Sequence, residues 1–574
     1  MTIQPPVAGF TYVDHPVVVP DHPDGREARR WPVLIAGGGP VGLAAALALA
    51  RRGVACVVIE ADRTVCVGSR AICLSRRTLE ILDRLGVLQP FAEKGLPWTG
   101  GRSFYGSTEV LHFHMPHDAD QRVAPMVNLQ QYYIEQFLLD ATHAYPDLIE
   151  IRWGTQVRDI VPGPDGVEVH LEGRDDQYST YARYVVAADG ARSRVRQALG
   201  LRLDGTAYEA RYVIVDIESD IDLPTERLAW FDPPSNPGRT MLMHRQPDNI
   251  WRLDYQLHPD ENPDEMVRPE KVVPVVEAHL AMMGSDRPWR LVWASTYRAA
   301  AVSLDDYRSG RVLFAGDAAH LVPIFGVRGL NSGFDDAFNL GWKLSAVLVG
   351  DAPETLLDSY SLERRHAWNV NVSSAMKSTE FMAPPSRGYE LMRDAVLSLA
   401  RTNPALATLI NPRQSTAIAY DTSPLNTVTR DEASFRAGPA PGAPVVECPL
   451  VVAGRQRHLT ELLGDDFTLV WSGAMPVPAE IISQTRAIVR SGFKLLVIRP
   501  DEPKHEPDDV PVGDLHYEPA SDMAGRFRVL YDAEPSAAYL FRPDGYVCAR
   551  WRAIAEGDLA AAIERALART VPVS

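Results

Sequence analysis

A glycine-rich turn between an apolar strand and a helix of small residues constrains the fold of this chain most strongly. Residues 31–36 (WPVLIA) predict a buried parallel strand, and the turn GGGPVG at 37–42 leads into a helix that ends at Gly53. A second strand, at residues 55–59, ends at Glu60. In a G-x-G-x-x-G turn, the glycines allow a sharp bend, admit a pyrophosphate and let the helix pack on the strand. The pattern predicts a βαβ unit that binds a dinucleotide, with Glu60 on a ribose.

A second run, AGDAAHLVPIFGVRGLNSGFDDAFNLGWKL at residues 315–344, combines a strand end, a tight loop and a helix. Asp317 follows the strand and can accept a ligand hydroxyl, while Gly326 and Gly329 let the backbone approach a flat ligand. We expect Asn331 and Ser332 to form the N-cap region of the helix. The expected apolar stripe of this helix contains Phe334, Ala337, Phe338, Trp342 and Leu344. Its N-terminus would then stabilise an anion on the ligand.

A third motif, YVVAADGARSRVR at residues 184–196, lies between the other two. A strand leads to Asp189 and Gly190, and an arginine-rich segment opens a helix. Asp-Gly is also a common turn signal, so an ordinary turn remains an alternative. Further upstream, Arg70 and Gln131 lie at the ends of predicted elements, where both could face the same ligand.

Length, charge and cysteine content limit the classes of protein that remain. A chain of 574 residues predicts two or three domains, and the net charge of −16 argues against a nucleic-acid or anionic-membrane partner. No segment has the apolar length of a membrane span, and the first 30 residues lack the pattern of a signal peptide. The five cysteines form no C-x-x-C pair, which is typical of a reducing compartment. We expect a cytoplasmic enzyme whose residues 1–30 form an arm on the surface or on a neighbouring subunit, or else a disordered extension.

The segment 206–299 predicts an inserted, mostly antiparallel sheet that contacts the substrate. In IWRLDYQL, the apolar residues 251, 253, 255 and 257 alternate with Arg252, Asp254 and Gln256. If the apolar face covers the ligand, Trp251 and Tyr255 line the pocket; the alternative is that both belong to the sheet core. His244, Arg245 and Asp254 are either polar contacts of the ligand or members of surface salt bridges. No catalytic base can be selected from the sequence.

Two further features concern metal binding and the C-terminal third. His112 and His114 share one strand face but lack a third ligand, so no metal site is predicted. A helical region reaches about residue 409, and a Pro- and Gly-rich linker covers 410–440. The segments DFTLVW, AEIISQTRAIVRSG, KLLVIRP, RFRVLYD and AAYLFRPDGYVCARW predict strand, helix, strand, strand and hairpin, followed by a last helix. This order is thioredoxin-like; without C-x-x-C, the unit at 441–574 would serve structure or dimer contact.

The three motifs together resemble the single-component FAD-dependent aromatic hydroxylases, the class A flavoprotein monooxygenases that include para-hydroxybenzoate, phenol and 3-(3-hydroxyphenyl)propionate hydroxylases. The resemblance covers residues 31–366. It implies an α/β chain with a Rossmann-like FAD-binding domain at 31–205 and 300–409, long helices and the inserted sheet. It also implies that NADH or NADPH reduces FAD, and that O₂ forms a C4a-hydroperoxide that hydroxylates a phenolic or aminoaromatic substrate.

The resemblance assigns roles to individual positions. The ADP half of FAD would be held by the first motif and Glu60, with Arg70 and Gln131 in support. Asp189 would serve both FAD and the pyridine nucleotide, and Asp317 would hold the ribityl chain. The expected FAD contacts are Gly37, Gly39, Pro40, Val41, Gly42, Glu60, Ala61, Arg70, Gln131, Val157, Asp189, Gly190, Gly316, Asp317, Gly329, Leu330 and Asn331. The expected catalytic residues are Pro323, Arg328 and Tyr255, and the expected substrate contacts are Trp251, Asp254, Tyr255 and Ile324.

Departures from the family pattern lie in the loop before the helix. Many family members have a second proline where this chain has Ile324. Many also have Gly-Gln-Gly where this chain reads Val-Arg-Gly, with Arg328 in the middle. We expect Arg328 to stabilise the anionic reduced flavin; a solvated loop charge is the alternative. Other functions remain open: a halogenase or reductase of the same fold, an aromatic polyketide tailoring oxygenase, or a non-catalytic flavin-binding protein. The halogenase W-x-W-x-I-P box is absent, the nearest phrase being residues 289–293.

Overall fold

A computed structural model describes residues 9–174, 176–323, 325–410, 414–473, 492–500, 516–534 and 536–570. Ile324 and most of the expected helix at 479–492 lie outside these residues. The strands are β1 Arg26–Ala36, β2 Cys56–Ile59, β3 Cys73–Ser75, β4 Leu96–Trp98, β5 Gly100–Tyr105, β6 Thr108–His114, β7 Met126–Asn128, β8 Ile149–Arg152, β9 Gln156–Pro162, β10 Val167–Glu172, β11 Gln177–Ala187, β12 Asp204–Ser219, β13 Arg227–Phe231, β14 Thr240–Arg245, β15 Ile250–Gln256, β16 Trp289–Ser303, β17 Arg308–Ser309, β18 Val312–Phe314, β19 His320–Leu321, β20 Pro449–Val452, β21 Arg455–His458, β22 Phe467–Ser472, β23 Phe493–Arg499, β24 His516–Ser521, β25 Ala537–Phe541 and β26 Val547–Trp551. The helices are α1 Pro40–Ala50, α2 Arg76–Arg84, α3 Leu88–Lys94, α4 Gln131–Thr142, α5 Arg194–Ala198, α6 Pro263–Met266, α7 Pro269–Met282, α8 Gly329–Leu348, α9 Asp358–Met382, α10 Arg387–Ala400, α11 Pro404–Ala407, α12 Leu459–Leu462, α13 Arg526–Leu530 and α14 Asp558–Ala566.

The first sheet carries the βαβ unit expected from the glycine-rich turn. Its order is β17-β18-β11-β1-β2-β8, and β9 and β10 extend it from β11. The pairs β18/β11, β11/β1, β1/β2 and β2/β8 are parallel, so the carboxyl ends of these strands share one edge. Strand β1 begins at Arg26, five residues before the expected start, because its first half pairs with β11 beyond the apolar run.

The second sheet has the order β19-β16-β12-β15-β14-β13-β5-β6. Its pairs are antiparallel except β13/β5. The expected insertion at 206–299 therefore supplies most of the sheet, but β5 and β6 join it from an earlier part of the chain. A third, small sheet has the order β3-β7-β4, and its strand β3 contacts α8.

Helix α8 differs from the expected amphipathic helix in two respects. It begins at Gly329, with Arg328 at the N-cap, so Asn331 and Ser332 lie inside its first turn rather than at the cap. Residues 331–334 and 336–347 are buried, so the helix has no solvent-facing stripe. It packs between α1, α2, α9 and the C-terminal unit. Because the helix is buried on every side, the apolar stripe in the sequence identified only some of its buried residues.

The C-terminal unit contains the sheet β21-β20-β24-β23-β22-β25-β26, in which β22/β23 and β23/β24 are parallel. The expected hairpin is present as β25 and β26. The expected strand RFRVLYD is wrong: residues 526–530 form helix α13, whose first turn donates two backbone hydrogen bonds to the side chain of Asp522. Strand β24 and the pair β20/β21 were not predicted from the sequence.

Buried ion pairs connect the C-terminal unit to the first domain. Lys343 on α8 donates to Glu363 on α9 at 2.7 Å, and Arg542 in the β25–β26 turn donates to Glu363 at 2.6 Å and to Asp544 at 2.6 Å. Asn339 also donates to Asp544, at 3.1 Å. All of these side chains are buried, so loss of one partner would leave an uncompensated charge in the interior.

The N-terminal arm lies on its own subunit from residue 9 onward. Phe10 is buried against the rings of Tyr132 and Tyr133, with ring centroids 4.6 and 5.0 Å away. The Tyr133 hydroxyl donates to the carbonyl of Gly9 at 2.7 Å. From residue 9 onward, this segment therefore packs against helix α4 of the same chain. Among those residues, no helix combines the length and the apolarity that crossing a membrane requires.

Candidate active site

A cavity of about 890 Å³ lies between the first sheet, the second sheet and the N-terminus of α8. Its walls bring together all three sequence motifs and one face of the second sheet. The wall residues that the sequence singled out are Gly37, Gly39, Pro40, Val41, Glu60, Ala61, Arg70, Gln131, Val157, Asp189, Gly190, Arg252, Asp254, Gly316, Asp317, Arg328, Gly329, Leu330 and Asn331. The spatial assembly of residues separated by nearly three hundred positions is a product of the tertiary fold.

The glycine-rich turn forms one end of the cavity. Gly37 has φ of +104°, and a Cβ on Gly42 would lie 2.0 Å from the Gly37 carbonyl oxygen, so a side chain at Gly42 cannot be accommodated. A Cβ on Gly39 would meet nothing within 4 Å, which leaves open space at the N-terminus of α1. Glu60 accepts hydrogen bonds from the backbone of Gly38 at 2.6 Å and Asp62 at 2.9 Å. The turn therefore has room for a phosphate group at the N-terminus of α1, with the Glu60 carboxylate beside it.

Asp317 and Asp189 present carboxylates to the same cavity. The Asp317 side chain is exposed to the cavity, but protein surrounds that space, and burial raises its pKa against the opposing charges of His320 and Arg70. Asp189 accepts a hydrogen bond from the backbone of Val195 at 3.1 Å. Its second oxygen, Oδ1, is buried and has no hydrogen-bond partner in the described part of the chain, and burial raises the pKa of this carboxyl. Both carboxylates can therefore accept hydroxyl groups from a ligand.

Behind Asp317 lies a buried cluster that the sequence did not reveal. Asp336 on α8 accepts from the backbone of Gly316 at 2.9 Å, contacts His320 Nε2 at 2.7 Å and accepts from Arg364 Nε at 2.6 Å. Burial alone would raise the pKa of Asp336, but His320 and Arg364 outweigh it and lower the pKa to about 2. The cluster ties the turn that carries Asp317 to α8 and α9 and so positions that carboxylate.

Gln131 and Glu135, one turn apart on α4, close another side of the cavity. Gln131 accepts from the backbone of Ala71 at 3.1 Å and donates to Glu135 at 3.0 Å. Glu135 also accepts from the backbone of Cys66, and burial raises its pKa to about 7. Glu135 was not among the expected site residues, although its i, i+4 spacing from Gln131 placed it on the same helix face.

The loop before α8 holds its arginine away from solvent. Arg328 is 3% exposed, and its guanidinium donates to Asn371 Oδ1 at 2.7 Å and to the carbonyl of Gln414 at 3.1 Å. The alternative of a solvated loop charge is therefore wrong. Pro323 is buried but is not part of the cavity wall, unlike Val322 and Phe325 on either side of it.

Asn331 fixes the start of α8 through its side chain. Its amide donates to the carbonyls of Cys73 at 3.0 Å and Val327 at 2.6 Å, and its oxygen accepts from the backbone of Ser75 at 2.8 Å and from the Thr78 hydroxyl at 2.6 Å. These bonds join α8 to β3 and α2. Residues 329–331 of this first helical turn belong to the cavity wall, and the backbone N–H groups of a first turn have no partner within the helix.

The cavity-facing side of the second sheet is polar. Strand register places Asp216, Arg252, His244 and Arg227 in one cross-strand row and Ile214, Asp254, Leu242 and Ala229 in the next. Burial raises the pKa of Asp254 to about 7 against the opposing charge of Arg252, and it lowers the pKa of His244 to about 3 with help from Arg227 and Arg252. Among the residues that the structure describes, Asp254 Oδ1 and His244 Nδ1 have no hydrogen-bond partner, and both atoms are buried. The site thus contains an acceptor that is partly ionised at neutral pH.

Trp251 and Tyr255 do not contact this cavity. They are 0% and 2% exposed and pack with Leu253 against α7 on the opposite face of the sheet. The expectation that they touch the substrate, and that Tyr255 is catalytic, is therefore wrong. Arg245 also points elsewhere, since its guanidinium donates to the carbonyl of Leu223. The helix α7 covers the apolar face, and this leaves the polar face to the ligand.

Comparison with known proteins identifies the family to which this architecture belongs. A family model described as "FAD binding domain" matches residues 30–375, more than half of the chain. The chain belongs to this family. The expected FAD-binding α/β fold and the expected cofactor, FAD, are thereby confirmed. In the part of the chain that the structure describes, no group of three His, Cys, Asp or Glu residues could hold a metal ion.

Relatives of this FAD-binding chain match it over most of their length. The 3-(3-hydroxy-phenyl)propionate/3-hydroxycinnamic acid hydroxylase of Mycolicibacterium smegmatis is 29% identical, over 92% of this chain and 90% of the relative. The tetracenomycin A2 monooxygenase-dioxygenase of Streptomyces glaucescens is 28% identical, over 94% and 97%. Among solved structures, the OxyS anhydrotetracycline hydroxylase of Streptomyces rimosus is 26% identical with a TM-score of 0.66, covering 94% of this chain and 99% of the other. The flavin-dependent monooxygenase PieE is 24% identical with a TM-score of 0.76, covers 94% of this chain and 100% of the other, and shows the shared fold.

Proposed function

We propose that this protein is an NAD(P)H- and O₂-dependent FAD monooxygenase that hydroxylates a phenolic or aminoaromatic compound. One observation carries the proposal: a single cavity joins the dinucleotide turn and the loop before α8 to a buried polar sheet face with an ionisable acceptor. The names of the relatives, a 3-(3-hydroxy-phenyl)propionate/3-hydroxycinnamic acid hydroxylase and a tetracenomycin A2 monooxygenase-dioxygenase, support the same reaction class.

The residues present fit FAD. The open space at Gly39 would take the pyrophosphate, and Glu60 would bind the adenosine ribose. Asp317 and the Oδ1 atom of Asp189 would accept hydrogen bonds from hydroxyl groups of the ligand. The N-terminus of α8 at residues 329–331 would face the pyrimidine edge of the flavin, where its N–H groups and dipole favour negative charge. When bound, FAD supplies the electron transfer and oxygen chemistry, and the protein supplies position and electrostatics.

Asp254 is the residue that we assign to proton transfer from the substrate. A phenol is a better nucleophile when its proton is drawn off, and the most effective acceptor has a pKa near the working pH. The pKa of Asp254 is about 7, and its Oδ1 atom has no other hydrogen-bond partner. His244, neutral because of its depressed pKa, can accept or donate a hydrogen bond beside it without adding charge.

Arg328 would contribute a positive charge to the site, and the apolar walls near it would exclude water. A buried guanidinium adjacent to the first turn of α8 would stabilise an anionic flavin ring more strongly than a solvated one, because the local dielectric is low. Val322, Phe325 and Leu330 form apolar wall on the same side and exclude water. The unit at 441–574, whose described cysteines are both buried, would serve as a structural domain.

The test is a reaction with product identification. The purified full-length protein should show a flavin absorption spectrum, and phenols or anilines should stimulate its oxidation of NADH or NADPH. Mass spectrometry should find a product heavier by one oxygen atom. Tight FAD binding without an aromatic compound that couples NAD(P)H oxidation to oxygen gain would refute the proposal and favour another redox reaction on the same fold.

A further inference from the structure

The β25–β26 turn, residues 542–546, inserts from the C-terminal unit into the first domain. The side chains of Arg542, Asp544 and Tyr546 in this turn are each 1% exposed. Arg77 of α2 donates to the carbonyl of Asp544 at 2.9 Å. Turns usually lie on the surface, because their backbone polar groups need water or another partner. The burial of this turn against another domain indicates a role beyond the connection of two strands.

Tyr546 stacks on Tyr420, a residue of the expected linker. The two ring centroids lie 4.4 Å apart, and the rings are inclined by 26°. Tyr420 is 1% exposed, and its backbone N–H donates to the carbonyl of Gly442 at 2.7 Å, so the linker is firmly packed at this point. The Tyr420 hydroxyl accepts a hydrogen bond from Arg364 of α9 at 2.6 Å. The stacked tyrosines therefore join the C-terminal unit to α9.

Arg364 connects these tyrosines to two parts of the cavity wall. Its Nε atom donates to Asp336 at 2.6 Å, and Asp336 accepts from the backbone of Gly316, the neighbour of Asp317. Its Nη2 atom donates to the carbonyl of Ser332, in the first turn of α8, at 3.1 Å. The guanidinium is planar and rigid, so its three bonded nitrogens fix their partners relative to one another. One buried side chain thus holds the turn of Asp317, the start of α8 and the linker tyrosine together.

We propose that the C-terminal unit positions the FAD-binding residues of the first domain, with Tyr420 and Arg364 as positioning residues. The chain of contacts runs from Tyr546 through these two side chains to the turn of Asp317 and to the first turn of α8. Because a protein interior is close-packed, a displacement at one end of such a chain affects the other end. The inference depends on the binding of FAD and not on the reaction proposed above.

Release of FAD from the diluted full-length holoenzyme, followed by flavin fluorescence, tests the proposal without turnover. The variant Tyr420→Phe keeps the stacked ring and removes the hydroxyl that Arg364 bonds. Its matched control, Tyr531→Phe, removes a buried hydroxyl that donates to the carbonyl of Val446 at 2.7 Å, within the C-terminal unit. Both variants should lower the Tm of the FAD-free protein. Only Tyr420→Phe should raise the FAD dissociation constant, by about 3- to 10-fold, and change the visible circular dichroism of the bound flavin.

A second pair of variants removes a stacked ring. Tyr546→Leu removes the ring that stacks on Tyr420. The control Phe527→Leu removes a ring that stacks on Tyr531 inside the C-terminal unit, with centroids 4.3 Å apart. Tyr546→Leu should weaken FAD binding, and Phe527→Leu should not. In an Arg364→Gln background, Tyr420→Phe should cause no further loss of FAD affinity, because the chain of contacts is already broken.

The proposal is wrong if Tyr420→Phe and Tyr546→Leu keep the wild-type FAD dissociation constant and flavin circular dichroism, since these contacts would then serve stability alone. It is also wrong if the control variants weaken FAD binding as much, or if the losses in Tyr420→Phe and Arg364→Gln are additive. If Arg364→Gln does not fold, the two matched pairs decide the question. None of these outcomes bears on the proposed function, which fails only if no phenol or aniline is hydroxylated.

Discussion

Replacing Asp254 with asparagine should stabilise the protein at alkaline pH while it impairs the proposed reaction. Asparagine has the same shape and resembles the protonated acid. Burial raises the pKa of Asp254 from 3.8 to about 7, so the folded state binds the proton more tightly than the unfolded state does. The stability contributed by this group is therefore fully present below pH 4, falls as the pH rises towards 7, and is lost above it.

The magnitude follows from the two pKa values. At about 1.4 kcal/mol for each pKa unit, this group lowers the stability of wild type, relative to pH 3, by about 4 kcal/mol at pH 8 and by about 2 kcal/mol at pH 5, where only the unfolded state is ionised. Relative to wild type, Asp254→Asn should therefore gain about 2 kcal/mol between pH 5 and pH 8. The nearby charges of Arg252, Arg227 and Asp216 are already included in the pKa that sets this value.

The assay is thermal unfolding of wild type and variant at pH 5, 6, 7 and 8, with the exposed Asp222→Asn as control. The difference in Tm between Asp254→Asn and wild type should widen by a few degrees with rising pH, and the control should show no such trend. In parallel, wild-type kcat/KM for a hydroxylated aromatic should rise through pH 7, and this limb should be absent in Asp254→Asn. A Tm difference that is constant across this range would refute the buried, titrating carboxylate.

The remaining predictions concern the glycine turn, the cluster behind Asp317 and the domain contact. Gly42→Ala should lower both the flavin content and the Tm of the FAD-free protein because its Cβ would meet the Gly37 oxygen, whereas Gly39→Ala should lower the flavin content and keep the Tm of the FAD-free protein. Asp336→Asn should destabilise the protein by about 3–5 kcal/mol in denaturant titration at pH 7; since the pKa of Asp336 is lowered to about 2, wild type should lose this advantage only as the pH falls from about 4 through 2. Arg542→Met should leave buried carboxylates unpaired and make the C-terminal unit sensitive to limited proteolysis. The control Arg430→Met, which removes an arginine from an exposed ion pair, should not increase this sensitivity.

Local patterns were sufficient for the parts of the site that follow from backbone geometry. The turn at 37–42, the strand ends before Asp189 and Asp317, and the loop before α8 could be recognised because glycine spacing and strand length act within a few residues. The hairpin β25–β26 was predictable for the same reason. The strand expected at RFRVLYD was not, because Gly525 and Asp522 start a helix there, and this local signal was outweighed by the run of apolar residues.

The sequence by itself predicted a βαβ unit that binds a dinucleotide, and the resemblance carried by the three motifs implied that this dinucleotide is FAD. The alternation in β15 also determined which residues share a face, but it could not determine which face meets the ligand. Only the tertiary structure decided that, because α7 buries Trp251 and Tyr255 and so turns Arg252 and Asp254 to the cavity. Likewise, no local pattern links Asp336 to Asp317, because the bonds of Asp336 to Gly316, His320 and Arg364 form only when α8 and α9 pack together.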